Sequence, residues 1–224
     1  MAPAGEQGSD DGTPAGATGG PDDAAPVDRA TATLTRDEVL RRLVHASGTG
    51  LPALYLLGWA TWREITVLYL VGTAIALGLE VLRLYVGLDW AIYERLTREY
   101  EQDNLAGYAL YVISSAAVAV AVAPRIAVPA ILMLTIADPV SGLLGSGELR
   151  AAKRTFVLLA TFGVCMLLAT PFVPLVPALF GAVAATAADG LKPVIRGYVV
   201  DDNLTIPPAA AVAMLLGFEV AAAL

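Results

Sequence analysis

From residue 36 onward the chain is built of long apolar runs, without the strict alternation of a half-buried strand or the narrow stripe of a soluble amphipathic helix. Runs of near-spanning length recur at 44–60, 64–83, 105–123, 125–144, 154–171, 173–190 and 204–224. A helix rises about 1.5 Å per residue, so about 20 apolar residues cross a bilayer core. Some of the runs are short or contain Gly and Pro, which membrane helices tolerate. The pattern predicts an all-α polytopic membrane protein with about seven transmembrane helices. The segment DWAIYERLTREYEQDN, 89–104, is charged, but Trp90, Ile92, Tyr93 and Leu96 recur near helical spacing. It reads as an amphipathic helix lying in the membrane interface. Residues 1–34 are different again. They are rich in Gly, Pro, Ala and Asp and cannot bury enough apolar surface to order themselves. They read as a disordered acidic tail ahead of a helical membrane domain, 35–224. The basic start and apolar stretch of a signal peptide are missing from the tail.

Composition agrees with that pattern. Hydrophobic residues make up 57% of the 224, and charged residues only 16%. Soluble domains run about 45–50% and about 25%. The imbalance excludes a soluble enzyme. A net charge of −7 argues against a nucleic-acid partner, and the lone Cys165 excludes an internal disulfide. Charge also orients the chain. With the N-terminus in the cytoplasm, only Arg63 and Arg125 of the 14 basic residues fall on the outer side. This predicts a multi-pass protein of the cell membrane with its N-terminus inside.

That orientation gathers the out-of-place polar residues on one face. His45 opens the first span, Glu80 and Arg83 end the second, and Asp138 lies near the inner end of the fourth. Asp189 closes the sixth, and Asp201, Asp202 and Asn203 precede the seventh. Ionisable residues in membrane segments are costly and mark functional sites. A cluster on the cytoplasmic face predicts a site that meets cytosolic solutes and lipid together. Glu219, near the other end, stands outside it.

Two constellations stand out. IADPVSGLLGSGELRAAKR, 136–154, joins Asp138 to the small residues Ser141, Gly142 and Gly145 and to the cations Arg150, Lys153 and Arg154. A carboxylate, bare backbone amides and nearby cations are what Mg²⁺ and a polyphosphate require. No GxxxxGK[ST] phosphate loop occurs anywhere. The bland alternative is a helix end packed through small residues, with basic anchors. DEVLRRLVHASGTG, 37–50, brings Arg41, Arg42 and the only histidine, His45, within about one helical turn. Three further groups have strong structural readings. Glu80 and Arg83 suit an ion pair at i, i+3. Arg98, Glu99 and Glu101 suit a solvated loop. Asp201, Asp202 and Asn203 suit a helix cap or a metal site.

Taken in order, these pieces resemble the membrane-embedded lipid kinases that include dolichol kinase, phytol kinase and CTP-dependent diacylglycerol kinase. The resemblance runs from about residue 36 to about 216. It rests on an E-x-x-R-[KR]-x-x-H opening (Glu38, Arg41, Arg42, His45) and an E-x-x-R-L (Glu80, Arg83, Leu84). Next come R-E-x-E with Leu-x-Gly (Arg98, Glu99, Glu101, Leu105, Gly107) and D-x-x-[AS]-x-x-x-G (Asp138, Ser141, Gly145). The last is D-N-L-T-[IV]-P (Asp202 to Pro207). The family's E-G-S-like stretch after the basic cluster is absent, since Lys153 and Arg154 lead into Thr155, Phe156 and Val157.

The resemblance implies transfer of the γ-phosphoryl group of a nucleoside triphosphate, usually CTP, to the hydroxyl of a membrane lipid alcohol. It implies Mg²⁺ on Asp138 and Asp202, with phosphates on Arg41, Arg42, Lys153 and Arg154. Gly142, Gly145 and Asn203 would approach the nucleotide, and His45 or Glu80 would take the alcohol proton. Dolichol or polyprenol, a shorter isoprenoid alcohol and diacylglycerol all remain candidate substrates, and ATP remains an alternative donor. The absent E-G-S-like stretch keeps open a relative of these kinases that has lost activity, and two further rivals stand beside this expectation. One is a cytidylyltransferase that makes a CDP-lipid from the same metal and nucleotide. The other is a non-catalytic membrane protein or transporter, although a transporter places its charges near the bilayer midplane and often shows internal repeats.

Overall fold

The structure is a computed structural model that describes residues 43, 45–86, 104–145, 155–191, 194–195 and 198–224. The predicted tail, the 89–103 part of the predicted interfacial helix and the basic residues Arg41, Arg42, Lys153 and Arg154 lie outside the described residues. The described chain is helical. Its elements are α1 (Gly50–Leu56), α2 (Trp62–Val81, continued by a π-helical turn Leu82–Val86), α3 (Gly107–Ala121), α4 (Pro124–Leu144), α5 (Thr155–Ala169), α6 (Leu175–Gly190) and α7 (Asp202–Ala223). Between α6 and α7 a two-residue antiparallel ribbon pairs β1 (Val194–Ile195) with β2 (Tyr198–Val199).

Three helical stretches are long and apolar enough to cross a bilayer: Trp62–Tyr85, α4 and α7, at 24, 21 and 22 residues. α3, α5 and α6 are equally apolar but run 15, 15 and 16 residues. The first predicted span is corrected. The interval 44–60 is not one helix, because α1 holds only seven residues. The chain then turns at Gly58, whose φ of 71° is a conformation that other residues rarely adopt. Hydropathy sees the apolar run there but not the turn.

Helix starts follow from local chemistry. Thr61 and Glu64 form a reciprocal capping box at the head of α2, with the Thr61 amide donating to the Glu64 carboxylate at 2.7 Å. Pro124 occupies the first turn of α4, where no N–H is needed. Asp201 caps α7 by accepting from the Asn203 amide at 2.9 Å. Two prolines then create needs that the fold meets. Pro207 has no N–H for the carbonyl of Asn203, one turn back. Ser114 of α3 supplies the missing donor at 2.6 Å. In α4 a π-helical turn, Met133–Ala137, immediately precedes Asp138 and Pro139. Its wider backbone eases the clash that a proline ring makes with the carbonyl four residues back in an α-helix.

Ser114→Ala should leave the Asn203 carbonyl buried without a donor. The expected loss is about 1–3 kcal/mol of stability. Chemical unfolding in mixed detergent micelles checks it.

α4 sits at the centre: 72% of its most apolar stretch is buried, against 22% for the peripheral α2. The core is assembled largely from small and flexible side chains, among them Ala127, Ala130, Met133, Ala178, Ala182, Ala185 and Met214. Such residues let helix backbones approach closely, the main source of cohesion where lipid tails are as apolar as the core. α6 and α7 are packed closest. A Cβ on Gly217 would come within 2.6 Å of the Pro177 Cα. Gly217→Ala must push two backbones apart and is expected to cost about 1–3 kcal/mol, read as a lower unfolding midpoint in detergent. On the outside, α2 presents Val67, Leu68, Leu70, Val71 and Ile75. In water that face would be an aggregation hazard; against lipid tails it is at home.

Candidate functional site

Chain direction decides which residues meet. Glu80, near the end of α2, accepts a hydrogen bond from the Ala106 amide at the head of α3. Ser141 on α4 reaches Asp189 on α6, and Ser114 on α3 reaches Asn203 on α7. The ends of α2, α4 and α6 and the beginnings of α3 and α7 therefore share one end of the bundle. The opposite end is marked by the Trp62 indole donating to the Ala119 carbonyl at 3.2 Å, and by Arg125 stacked 4.7 Å over the Phe218 ring.

At the first end three aspartates converge. Each of Asp138 (α4), Asp189 (α6) and Asp202 (α7) offers a carboxylate oxygen, and these oxygens all lie within 4.8 Å of one another. Asp189 and Asp202 are buried and Asp138 is partly so. At that spacing two ionised carboxylates repel by roughly 3–4 kcal/mol, even at an effective dielectric constant of about 20. The arrangement therefore calls for positive charge close at hand. Among the described residues these three could share a cation.

Their surroundings are built to orient them. The Ser141 hydroxyl donates to Asp189 at 2.6 Å. His45 Nδ1 stands 3.6 Å from Asp138 Oδ2. Asp201 Oδ1 accepts from both the backbone amide and the side-chain amide of Asn203, at 2.9 and 2.6 Å, which steadies the residue next to Asp202. The group is also recessed. Asn203 meets α3 at Ser114, seven residues after Gly107, or about 10 Å below the head of that helix.

A second polar group sits at the same end. Glu80 is 1% exposed, and both its oxygens are engaged. Arg83 donates to it through Nε at 3.1 Å and a terminal nitrogen at 2.6 Å, the Ala106 amide donates at 3.1 Å, and the Tyr108 hydroxyl donates as well. Arg83 also reaches the Asn104 carbonyl. This is a clamp between the end of α2 and the beginning of α3.

Of the residues singled out from sequence, Asp138, Asp202 and His45 are brought together, with Asn203 adjacent in the chain. Gly142 and Gly145 lie in the last turn of α4 and at its C-cap, just beyond Asp138. Glu80 belongs to the clamp. Sequence reading placed Asp189 in the polar cluster on the right face but assigned it no metal or catalytic role. Its signal was the same as that of Asp138, a carboxylate at the inner end of an apolar run. Tyr111 and Ser114 gave no signal, since hydroxyls in a helix that also holds Tyr108 and Ser115 look like ordinary packing. Set against known proteins, the chain matches no family model, no curated protein and no solved structure.

Proposed function

We propose that the chain is a membrane lipid kinase. It transfers the γ-phosphoryl group of a nucleoside triphosphate, CTP by expectation, to the hydroxyl of a lipid alcohol such as dolichol, polyprenol or another isoprenoid alcohol. The proposal includes a multi-pass arrangement with the N-terminus and the site facing the cytoplasm, in line with the distribution of Lys and Arg. One observation carries it: three carboxylates from three separate helices meet beside the chain's only histidine, at the end where the sequence also gathers its cations.

Three carboxylate oxygens in a close group suit a small hard cation, so Asp138, Asp189 and Asp202 are the residues that would hold Mg²⁺. Bound there, Mg²⁺ would neutralise charge on the phosphates. Ser141 fixes the Asp189 carboxylate. Arg41, Arg42, Lys153 and Arg154 take the nucleotide phosphates, while Gly142, Gly145 and Asn203 approach the nucleotide itself. The alcohol oxygen forms the new bond to the γ-phosphorus, the bond to the β–γ bridging oxygen breaks, and the nucleoside diphosphate leaves. His45 accepts the alcohol proton. Glu80 is the poorer candidate, because both of its oxygens already accept hydrogen bonds.

The test is transfer by purified protein in detergent with Mg²⁺, a panel of lipid alcohols and phosphatidate, and CTP labelled at the γ or the α position. Label entering lipid from the γ position alone supports the reading, and the responding lipid names the substrate. Label from the α position makes the chain a cytidylyltransferase. If neither label transfers and γ-labelled ATP also fails, the kinase reading falls.

A further inference from the structure

We propose that Tyr111 is a positioning residue that sets where His45 stands over Asp138. Only its consequence for turnover rests on the lipid-kinase reading; the placement itself is separately measurable.

A tight turn carries His45. The Gly48 amide donates to the His45 carbonyl and the Thr49 amide to the Ala46 carbonyl, both at 3.0 Å. His45 and Gly48 therefore move as one tight unit. Tyr111 projects from α3, about one turn past Gly107, and touches that unit twice. Its hydroxyl donates to the Gly48 carbonyl at 3.2 Å. Its ring meets the His45 imidazole edge-on, with centroids 5.9 Å apart and an interplanar angle of 89°. The fit leaves no slack. A Cβ on Gly48 would lie 2.5 Å from the tyrosine oxygen and 2.8 Å from the ring carbon that bears it.

The other side of the turn is fastened to the helix that bears Asp138. The Thr49 hydroxyl donates to that of Thr135 at 3.0 Å, and Thr135 lies three residues before Asp138 in the π-helical turn. His45 is thus held between α3 and α4. Its 3.6 Å approach to Asp138 is longer than a hydrogen bond but within ion-pair reach. Such a contact depends on how the turn is seated, because neither partner clasps the other directly. A displacement of about 1 Å at a reacting group costs on the order of 10- to 100-fold in rate. Edge-on ring contact adds preference for this geometry.

The experiment uses the full chain in detergent and the fact that His45 is its only histidine, so the imidazole signals belong to one residue. Tyr111→Leu removes ring and hydroxyl. Tyr111→Phe keeps the ring and removes the bond to Gly48. We expect Tyr111→Leu to shift the imidazole nitrogen resonances by more than the loss of the tyrosine ring current alone produces. In the transfer assay kcat should fall on the order of 10- to 100-fold, with little change in the KM for nucleotide. Tyr111→Phe should return the resonances towards wild type and recover most of kcat. Should Tyr111→Leu fail to fold, Gly48→Ala takes its place alongside Gly48→Ala with Tyr111→Phe: the added methyl meets the tyrosine oxygen at 2.5 Å and the His45 carbonyl at 3.0 Å, and the part of the shift that Tyr111→Phe relieves is the part set through Tyr111. Unchanged imidazole signals in a folded Tyr111→Leu or Gly48→Ala protein overturn the proposal. So does an equal loss of kcat in Tyr111→Leu and Tyr111→Phe. A wild-type protein without transfer activity defeats the lipid-kinase reading instead, and the resonance shifts then decide on Tyr111 alone.

Discussion

Asp138→Asn is expected to abolish γ-phosphoryl transfer, by on the order of 10³-fold or more, while the protein still inserts and, without added Mg²⁺, unfolds at or above the wild-type midpoint. The substitution preserves shape and removes charge. Asp138 is the most accessible of the three converging aspartates and lies next to His45. A neutral amide there weakens attraction for a divalent cation, and preorganised charge is the main lever in phosphoryl transfer. Stability responds in the opposite sense: removing one of three mutually repelling carboxylates relieves strain of roughly 3–4 kcal/mol per ionised pair in the absence of a cation. Added Mg²⁺ should therefore raise the unfolding midpoint of the wild type more than that of the Asn variant. Full transfer activity in Asp138→Asn would remove this residue from the mechanism.

Glu80→Ala is expected to be the most damaging change to the fold itself. Four donors converge on this buried carboxylate, and two of them come from Arg83. Deleting it removes the carboxylate opposite a guanidinium whose side chain is 9% exposed, and takes one acceptor each from the Ala106 amide and the Tyr108 hydroxyl. Breaking one partner of a buried pair costs about 3–5 kcal/mol. Glu80→Gln keeps an acceptor and should cost less. Replacing Glu80 and Arg83 together by Met should recover part of the loss, because it removes both charges. Detergent unfolding of the four proteins measures these differences. A Glu80→Ala protein as stable as wild type would mean that the clamp does not fasten α2 to α3.

The apolar runs after the first each contain a helix close to where they were expected, because burial in lipid or core demands continuous apolar sequence and hydrogen-bonded backbone. The first run failed for a local reason: average hydropathy is blind to the positive φ of Gly58. The meeting of Asp138 with Asp202 was legible in part, since alternating helix directions bring the ends of α4 and α6 beside the beginning of α7. The roles of Asp189 and Tyr111 were not. In a helix apolar on nearly every side, periodicity says little about which residue turns towards which neighbour. Rotation is fixed instead by close approaches such as Gly217 against Pro177 and Gly48 against Tyr111. The π-helical turn before Asp138 is equally hidden in sequence, although Pro139 is its trace.

The depth of the aspartate group bears on how a catalytic cycle would end. A lipid alcohol is nearly all hydrocarbon, so its hydroxyl can sink about 10 Å below the head of α3 at small cost. Its phosphorylated form cannot, because a phosphate carries up to two negative charges and is poorly tolerated at that depth once cations let it go. Adding the phosphate thus makes the product buoyant. Such a product would move towards the helix ends, and the same movement would draw it off the aspartates. On the lipid-kinase reading the reaction would itself drive its product out of the recess.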